Sequence, residues 1–215
     1  MKQNNLITTL VLDIGGVLLD NGWDHLSRRR AAKHFKLNWI EMEQRHIQNA
    51  SLLEEDRITL DDYVGWLVFY EKRPFSRADF RRFMFAQSKP CPDMIGMIRH
   101  LKGKYGLKII VLSNESRELN AHRIHMFRLD EFVDAFVSSC FVHLRKPDPA
   151  IFRMALDISQ TAPGQILYIE NTPMFVHIAE DMGIRCVLHA NYKTSCAKLA
   201  SFVLQIGEGG LNEPR

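Results

Sequence analysis

Ile7-Thr8-Thr9-Leu10-Val11-Leu12-Asp13-Ile14-Gly15-Gly16-Val17-Leu18 is the stretch whose reading decides the fold. It begins as an apolar run, stops at an acid, and passes two glycines before turning apolar again. A run without polar alternation is what a strand covered on both faces looks like. Asp13 and the two glycines also rule the segment out as the apolar core of a signal peptide. Four later runs repeat the pattern: Lys108–Leu112, Ala135–Val137, Ile166–Ile169 and Arg185–Leu188. Helix-length segments separate the later ones. Asp148-Pro149 opens one with an N-cap acid and Pro at the first helical position, Thr172-Pro173 opens another, and Gly183 stands where that second helix should stop. Strand alternating with helix predicts an α/β fold, a Rossmann-like parallel sheet in three layers.

The rhythm breaks between the first and second strands, where far more chain intervenes than one crossover helix needs. Thr59-Leu60-Asp61-Asp62 and Ser76-Arg77-Ala78-Asp79 carry helix-start signals. Trp39, Met42 and Ile47, then Tyr63, Trp66, Leu67 and Tyr70, recur at roughly helical spacing. Such a stripe could line a pocket, but it is more often the core of a small bundle, and core is the expectation. Arg28-Arg29-Arg30 reads as a solvated helix face, because acids and bases nearly balance in this region. Pro90 and Pro92 mark the return to the sheet, with a helix expected over Asp93–Lys104. The expected organisation is therefore a sheet core of residues 1–20 and 90–205, an inserted α-helical unit at 21–89, and a flexible tail at 206–215.

Composition narrows function without fixing it. The 215 residues are 46% hydrophobic with a formal charge of +3, so disorder is excluded. No concentrated positive charge points to nucleic acid. No segment reaches the roughly 20 apolar residues that cross a bilayer. Cys91, Cys140, Cys186 and Cys196 show no metal-binding spacing and read as free thiols of a cytoplasmic protein. His122 and His125, three apart with no third ligand in view, read as surface residues. Oligomeric state is left open.

In an open parallel sheet ligands bind beyond the carboxyl ends of the strands. Asp13 with Gly15-Gly16, Ser113-Asn114-Glu115, Lys146-Pro147-Asp148-Pro149 and Glu170-Asn171-Thr172-Pro173 all fall there. A carboxylate, a hydroxyl with free amides, an ammonium and a second acid converging on one point suit phosphoryl transfer. The carboxylate can attack phosphorus, glycines let amides approach the phosphate, and hydroxyl and ammonium offset its charge. Oxygen ligands from two strand ends would hold Mg²⁺. Asp13 alone would be a turn residue, Ser113-Asn114 an ordinary loop and Glu170-Asn171 a helix-entry turn.

Together and in this order, these motifs resemble the haloacid dehalogenase-like hydrolases, in particular the helical-cap branch and its sugar-phosphate phosphatase-type members. The resemblance spans nearly the whole chain and makes the helical insert a cap over the site. It implies Asp13 as nucleophile, Ser113 as phosphate ligand, Asn114 as support of the phosphate loop and Lys146 as the cation between phosphate and nucleophile. Gly15 and Gly16 would approach the phosphate, and Asp13, Gly15, Glu170 and Asn171 would be the metal positions. The implied reaction is Mg²⁺-dependent hydrolysis of a small phosphorylated metabolite.

Two positions depart from that family's pattern. Gly15 stands where phosphatases of the family usually carry a second Asp, which protonates the leaving oxygen and activates water. Such acid–base work is typically worth about 10²–10⁴-fold. Asn171 replaces an expected acid, and Met174 a downstream Asn or Asp. These changes leave open a catalytically weakened or inactive relative that binds a phosphate ligand or a protein. A metal-independent dehalogenase fits less well, because Gly15-Gly16-Val17 lacks that branch's aromatic-Gly-Thr. Trp23, Asp24 and His25 begin the insert, and Asp24 or His25 is a candidate to replace the missing acid. Receiver domains are too short, and no GxGxxG turn supports a dinucleotide site.

Overall fold

Thr9–Leu12 forms β1, the central strand of a five-stranded, all-parallel sheet in the computed structural model, which describes residues 6–202. The other strands are β2 (Lys108–Ser113), β3 (Ala135–Ser138), β4 (Ile166–Glu170) and β5 (Arg185–Leu188), in the order β3-β2-β1-β4-β5. The predicted tail at 206–215 lies outside the described residues.

The apolar run of β1 is explained by its two faces. Leu10 and Leu12 pack with Ile109, Val111, Leu167 and Ile169 against Met97, Ile98 and Leu101 of α5 (Pro92–Tyr105), with Leu199 of α10 (Tyr192–Ser201) in the same cluster. Val11 points the other way, with Ile110, Leu112 and Tyr168, towards Phe152 and Ala155 of α8 (Pro149–Ser159) and Ala179 of α9 (Pro173–Asp181). Helices thus cover both faces of the sheet, and each strand position is buried whichever way it points. The remaining core helices are α6 (Arg117–Met126) and the short α7 (Ser139–Val142).

Register places the chemistry. Leu12 pairs with Val111 on one side and Ile169 on the other, so Asp13 and Glu170 leave their strands side by side. The strand order reverses between β1 and β4, which is where ligands bind in such sheets.

Four helices intervene between β1 and α5: α1 (His25–His34), α2 (Trp39–Glu54), α3 (Leu60–Leu67) and α4 (Arg77–Phe85). Thr59 and Ser76 form full capping boxes with Asp62 and Asp79, so the start signals of α3 and α4 hold. The helices bury their own cluster around Met42, Tyr63, Leu67 and Phe80, joined by Leu119 of α6. The two connecting segments are tied together: Leu19 bridges Pro90, Cys91 N–H donates to the Leu18 carbonyl at 2.9 Å, and Asp20 Oδ1 accepts from the N–H groups of Gly22 and Lys89. Among the described residues no helix is long and apolar enough to cross a membrane. All four cysteines are free.

Two expectations for the insert fail in part. Ile47, Trp66 and Tyr70 are exposed, unlike Met42, Tyr63 and Leu67. Ile47 lies five residues past Met42, which at 100° per residue turns it to the outer face of α2. Tyr70 instead carries the Arg45 guanidinium 3.5 Å above its ring. Arg28 is buried rather than solvated: its guanidinium takes Glu43 in two bonds, at 2.6 and 2.8 Å, and donates to the Trp23 carbonyl. Arg29 and Arg30 are exposed as expected.

The contrast between these faces is measurable by chemical denaturation. Phe80→Ala should lower the free energy of unfolding by about 3–5 kcal/mol. Ile47→Ala should stay within about 0.5 kcal/mol of wild type. Equal losses would overturn the assignment of inner and outer faces.

Candidate active site

Asp13 is buried at the end of β1, held by its own N–H donating to the Ile169 carbonyl at 3.1 Å. Its Oδ1 sits 3.1 Å from the Lys146 Nζ, an ion pair whose angle makes no hydrogen bond, so this buried oxygen carries no hydrogen-bond donor. Burial pushes the Asp13 carboxyl up to about 6; Lys146 opposes that rise and Glu170 adds to it.

Lys146 is 1% exposed, a burial that a lysine tolerates only when paired. Its ammonium lies 2.7 Å from Glu170 Oε2 and 3.3 Å from the Tyr168 hydroxyl oxygen. Burial opposes its charge, but Asp13 and Glu170 outweigh that and raise its pKa. Asn114 fixes the lysine's backbone from both sides: its Oδ1 accepts the Lys146 N–H at 2.8 Å and its Nδ2 donates to the Lys146 carbonyl at 2.9 Å.

Glu170 is fully buried, and both its oxygens are in use. Oε2 accepts from Lys146 and the Tyr168 hydroxyl, and Oε1 accepts from the Thr172 N–H at 2.8 Å. Through these contacts Glu170 positions Lys146, a role the sequence reading did not give it. The tyrosine two residues earlier in the same strand, on the same face, was the missed signal.

A cavity of about 270 Å³ opens over these groups, lined by Asp13, Gly15, Ser113, Asn114, Lys146 and Asn171 and equally by Asn21, Glu115, Arg123, Thr172 and Phe175. Gly16 lies behind it in a left-handed conformation at φ 74°, and a Cβ there would come within 2.0 Å of the Asn171 amide nitrogen. The bare glycine lets Asn171 reach the cavity. Ser113 is buried and directs its hydroxyl to Glu115 at 3.4 Å.

Sequence reasoning placed Glu115 at a strand end without a role and missed Arg123; the two form a buried ion pair at 2.6 Å lining this cavity. Arg123 also donates from Nε to Ser88, and its other terminal nitrogen lies over Gly22, where a Cβ would clash at 1.5 Å. Glu115 directly follows Ser113-Asn114, so proximity in the chain was the available signal. Asp24 and His25, the candidates to replace the missing acid, line neither this cavity nor the one beside it. Asp24 is the N-cap of α1, accepting the Ser27 N–H at 2.7 Å, and His25 is exposed against Glu43. Only Trp23 reaches an adjoining cavity of about 90 Å³, which is also lined by His46, Leu53, Glu54 and Met84. The two cavities share Asn21, Asn114, Glu115 and Arg123. His122 stacks on Phe85 and His125 is exposed, and among the described residues no three His, Cys, Asp or Glu gather as a metal cluster.

Mg²⁺ takes oxygen ligands and keeps several waters. The orphaned Asp13 carboxylate oxygen, together with Gly15 and Asn171 on the same cavity, fits such an ion as one carboxylate, one backbone carbonyl and one amide oxygen. That set brings a single negative charge.

A family model for haloacid dehalogenase-like hydrolases matches residues 7–174. Among solved structures, a predicted HAD-like hydrolase from Porphyromonas gingivalis is 19% identical, with a TM-score of 0.69 over 91% of this chain and 98% of that one. A HAD family enzyme from Bacteroides thetaiotaomicron, solved with magnesium and inorganic phosphate, is 17% identical, with a TM-score of 0.65 over 84% and 93%. The L-2-haloacid dehalogenase of Xanthobacter autotrophicus with chloropropionic acid covalently bound is 14% identical, with a TM-score of 0.61 over 97% and 93%. At these identities the likeness is one of fold. Among curated proteins, bifunctional epoxide hydrolase 2 of Sus scrofa is 24% identical over 100 residues, which cover 45% of this chain and 18% of that protein.

His46 supplies a test of the insert's electrostatics. Trp23 N–H donates to the Tyr63 hydroxyl at 2.9 Å, so that hydroxyl's own proton goes to His46 Nδ1 at 2.8 Å, leaving the histidine proton on Nε2. Burial, then the Arg28 charge, holds His46 down at about 4 against an ordinary 6.5. Between those values the unfolded chain binds a proton that the folded one refuses, so stability falls as pH drops from about 6.5 to 4. Melting temperatures across that window should fall less steeply for His46→Gln than for wild type. Parallel curves would overturn the assignment of a buried neutral histidine.

Proposed function

This chain belongs to the haloacid dehalogenase-like hydrolases, and on that premise we propose that it is a Mg²⁺-dependent phosphatase of a small phosphomonoester, working through an aspartyl-phosphate on Asp13. The observation that carries the reading is a buried carboxylate and a buried ammonium, 3.1 Å apart, in one polar cavity at the strand ends. A carboxylate held there can displace the leaving oxygen from phosphorus and then be released by water, two easier steps in place of one hard one. Lys146 keeps Asp13 ionised and stabilises charge on the transferred phosphoryl oxygens. Ser113 binds one of those oxygens, Asn114 sets the height of Lys146, and Glu170 with Tyr168 stops the ammonium from swinging out. Bound at Asp13, Gly15 and Asn171, Mg²⁺ would supply positive charge against the phosphate.

One observation favours a second reading, a relative that binds a phosphate ligand with little turnover. Position 15 has no carboxylate, and Asn171 brings no charge to the metal set. A metal-independent dehalogenase would need neither and would announce itself by halide release from a 2-haloacid.

The decisive assay is hydrolysis of an aryl phosphate with and without Mg²⁺. Wild type should turn over with Mg²⁺, and Asp13→Asn should lose at least about 10³-fold, as removal of a covalent nucleophile does. Asn171→Asp should lower the Mg²⁺ concentration for half-maximal rate by roughly tenfold, since it adds a charged oxygen ligand. Turnover that survives Asp13→Asn would sink the phosphatase reading. No turnover on a broad phosphate panel, with no melting-temperature shift from a metal fluoride and Mg²⁺, would favour the binding reading.

A further inference from the structure

A phosphomonoester with an alcohol leaving group needs a proton on the departing oxygen, and Gly15 cannot give one. In an in-line displacement the leaving oxygen lies opposite the nucleophile. Asp13 rises from the sheet, so the donor must come from the side of the inserted helices. Most acids near the opening are otherwise engaged. Asp20, which ties the connecting segments, and Asp24, which caps α1, line neither cavity, and His25 is exposed. His46 lines the adjoining cavity, but its Nδ1 is held as an acceptor by Tyr63, and a neutral imidazole is a poor acid. Glu115 lines both cavities, yet protonating it would leave the Arg123 guanidinium, 3% exposed, as an unpaired buried charge.

Glu54 remains. On the phosphatase reading, we propose that Glu54, the last residue of α2, protonates the leaving oxygen and then takes the proton of the attacking water. It lines the cavity that adjoins the phosphate site through Asn21, Asn114, Glu115 and Arg123. Arg145 Nε donates to Glu54 Oε2 at 2.9 Å and its terminal nitrogen lies 2.8 Å from the same oxygen, while Oε1 takes no hydrogen bond. Arg145 immediately precedes Lys146, so one short segment fixes both the phosphate's cation and the proposed acid.

The surrounding corner is pinned as well. His143 Nδ1 pairs with the Glu55 carbonyl at 2.8 Å, Arg117 with Asp56 at 2.8 Å, and Glu118 accepts the Leu60 N–H at 3.1 Å. A proton donor placed this way spends little entropy in reaching the reacting atoms. Burial raises the Glu54 carboxyl above its ordinary value, against Arg145 and the more distant Lys146, with Glu55 adding to the rise. Arg145 is about a third exposed, so solvent shares its charge when Glu54 is protonated, which the Arg123 pair does not allow.

The step balances. The Asp13 carboxylate forms a bond to phosphorus, and the phosphorus–oxygen bond to the leaving group breaks with its electron pair on that oxygen. That oxygen takes the Glu54 proton and departs as the alcohol. Water then attacks the aspartyl-phosphate, gives a proton back to Glu54, and releases inorganic phosphate and the Asp13 carboxylate.

The test compares Glu54→Gln with wild type on ethyl phosphate and on 2,4-dinitrophenyl phosphate, whose phenolate leaves without a proton. The variant should lose at least about 10²-fold in kcat/KM on ethyl phosphate and stay within about threefold on the dinitrophenyl ester. With the latter, kcat should fall and a burst of about one equivalent of phenolate should appear, because the second step has lost its base. Glu54→Asp, which keeps a carboxyl, should recover part of the ethyl phosphate rate, and this separates chemistry from a folding defect. Equal losses on both esters, or an unchanged rate on ethyl phosphate, would overturn the assignment of Glu54. Wild type inactive on both esters would instead fail the phosphatase reading.

Discussion

A lysine ammonium beneath a sheet end, 1% exposed and caught between two carboxylates, is the constraint around which the strand ends are built. Such a charge persists in the interior only with partners whose own bonds are complete. Glu170 meets that condition, because each of its oxygens is engaged by protein donors. Asp13 does not, and burial, with Glu170 adding to it, pushes its pKa up to about 6 against the pull of Lys146. The asymmetry separates the two acids: one is structural, the other available. With all three groups ionised the trio carries one net negative charge, and a phosphate dianion beside it would make three. Arg123 gives no relief, since Glu115 already neutralises it. A divalent cation therefore has an electrostatic purpose here even though its ligands are poor.

The sheet was legible because burial on both faces leaves a mark in sequence. Leu10-Val11-Leu12 and Ile109-Ile110-Val111-Leu112 show no alternation, since α5 packs on one side and α8 with α9 on the other. Strand-end position was equally legible, and six of the eight residues picked there, all but Gly16 and Glu170, line one cavity. What could not be read was pairing across the fold. Lys146 engages one Glu170 oxygen from 24 residues away in the chain, with no local pattern to announce it. Arg28 looked solvated because its partner, Glu43, lies on a different helix. Roughly helical spacing was too loose a criterion: Ile47, five residues past Met42, falls on the outer face of α2, and Trp66 is exposed beside buried Leu67. Glu54 falls in the same class: its interest comes from Arg145, 91 residues away.

The inserted helices are held to the core in two unequal ways, and the difference bears on catalysis. At one end, backbone bonds between Leu18–Asp20 and Lys89–Cys91 form a short ladder that Asp20 reinforces, with no long side chain to order. At the other end, the corner between α2 and α3 is held largely by partly exposed pairs, Arg145–Glu54 and Arg117–Asp56. Pairs of that kind are worth only about 0–1 kcal/mol each. The ladder is therefore the stronger attachment and the corner the weaker. The 90 Å³ cavity lies beside the weaker attachment, where Arg145 links Glu54 to the segment that carries Lys146. A carboxylate at position 15 would be fixed to the β1 loop, whereas Glu54 is placed by a pair that joins the insert to the core. On the role proposed for Glu54, leaving-group protonation therefore depends on the integrity of that corner.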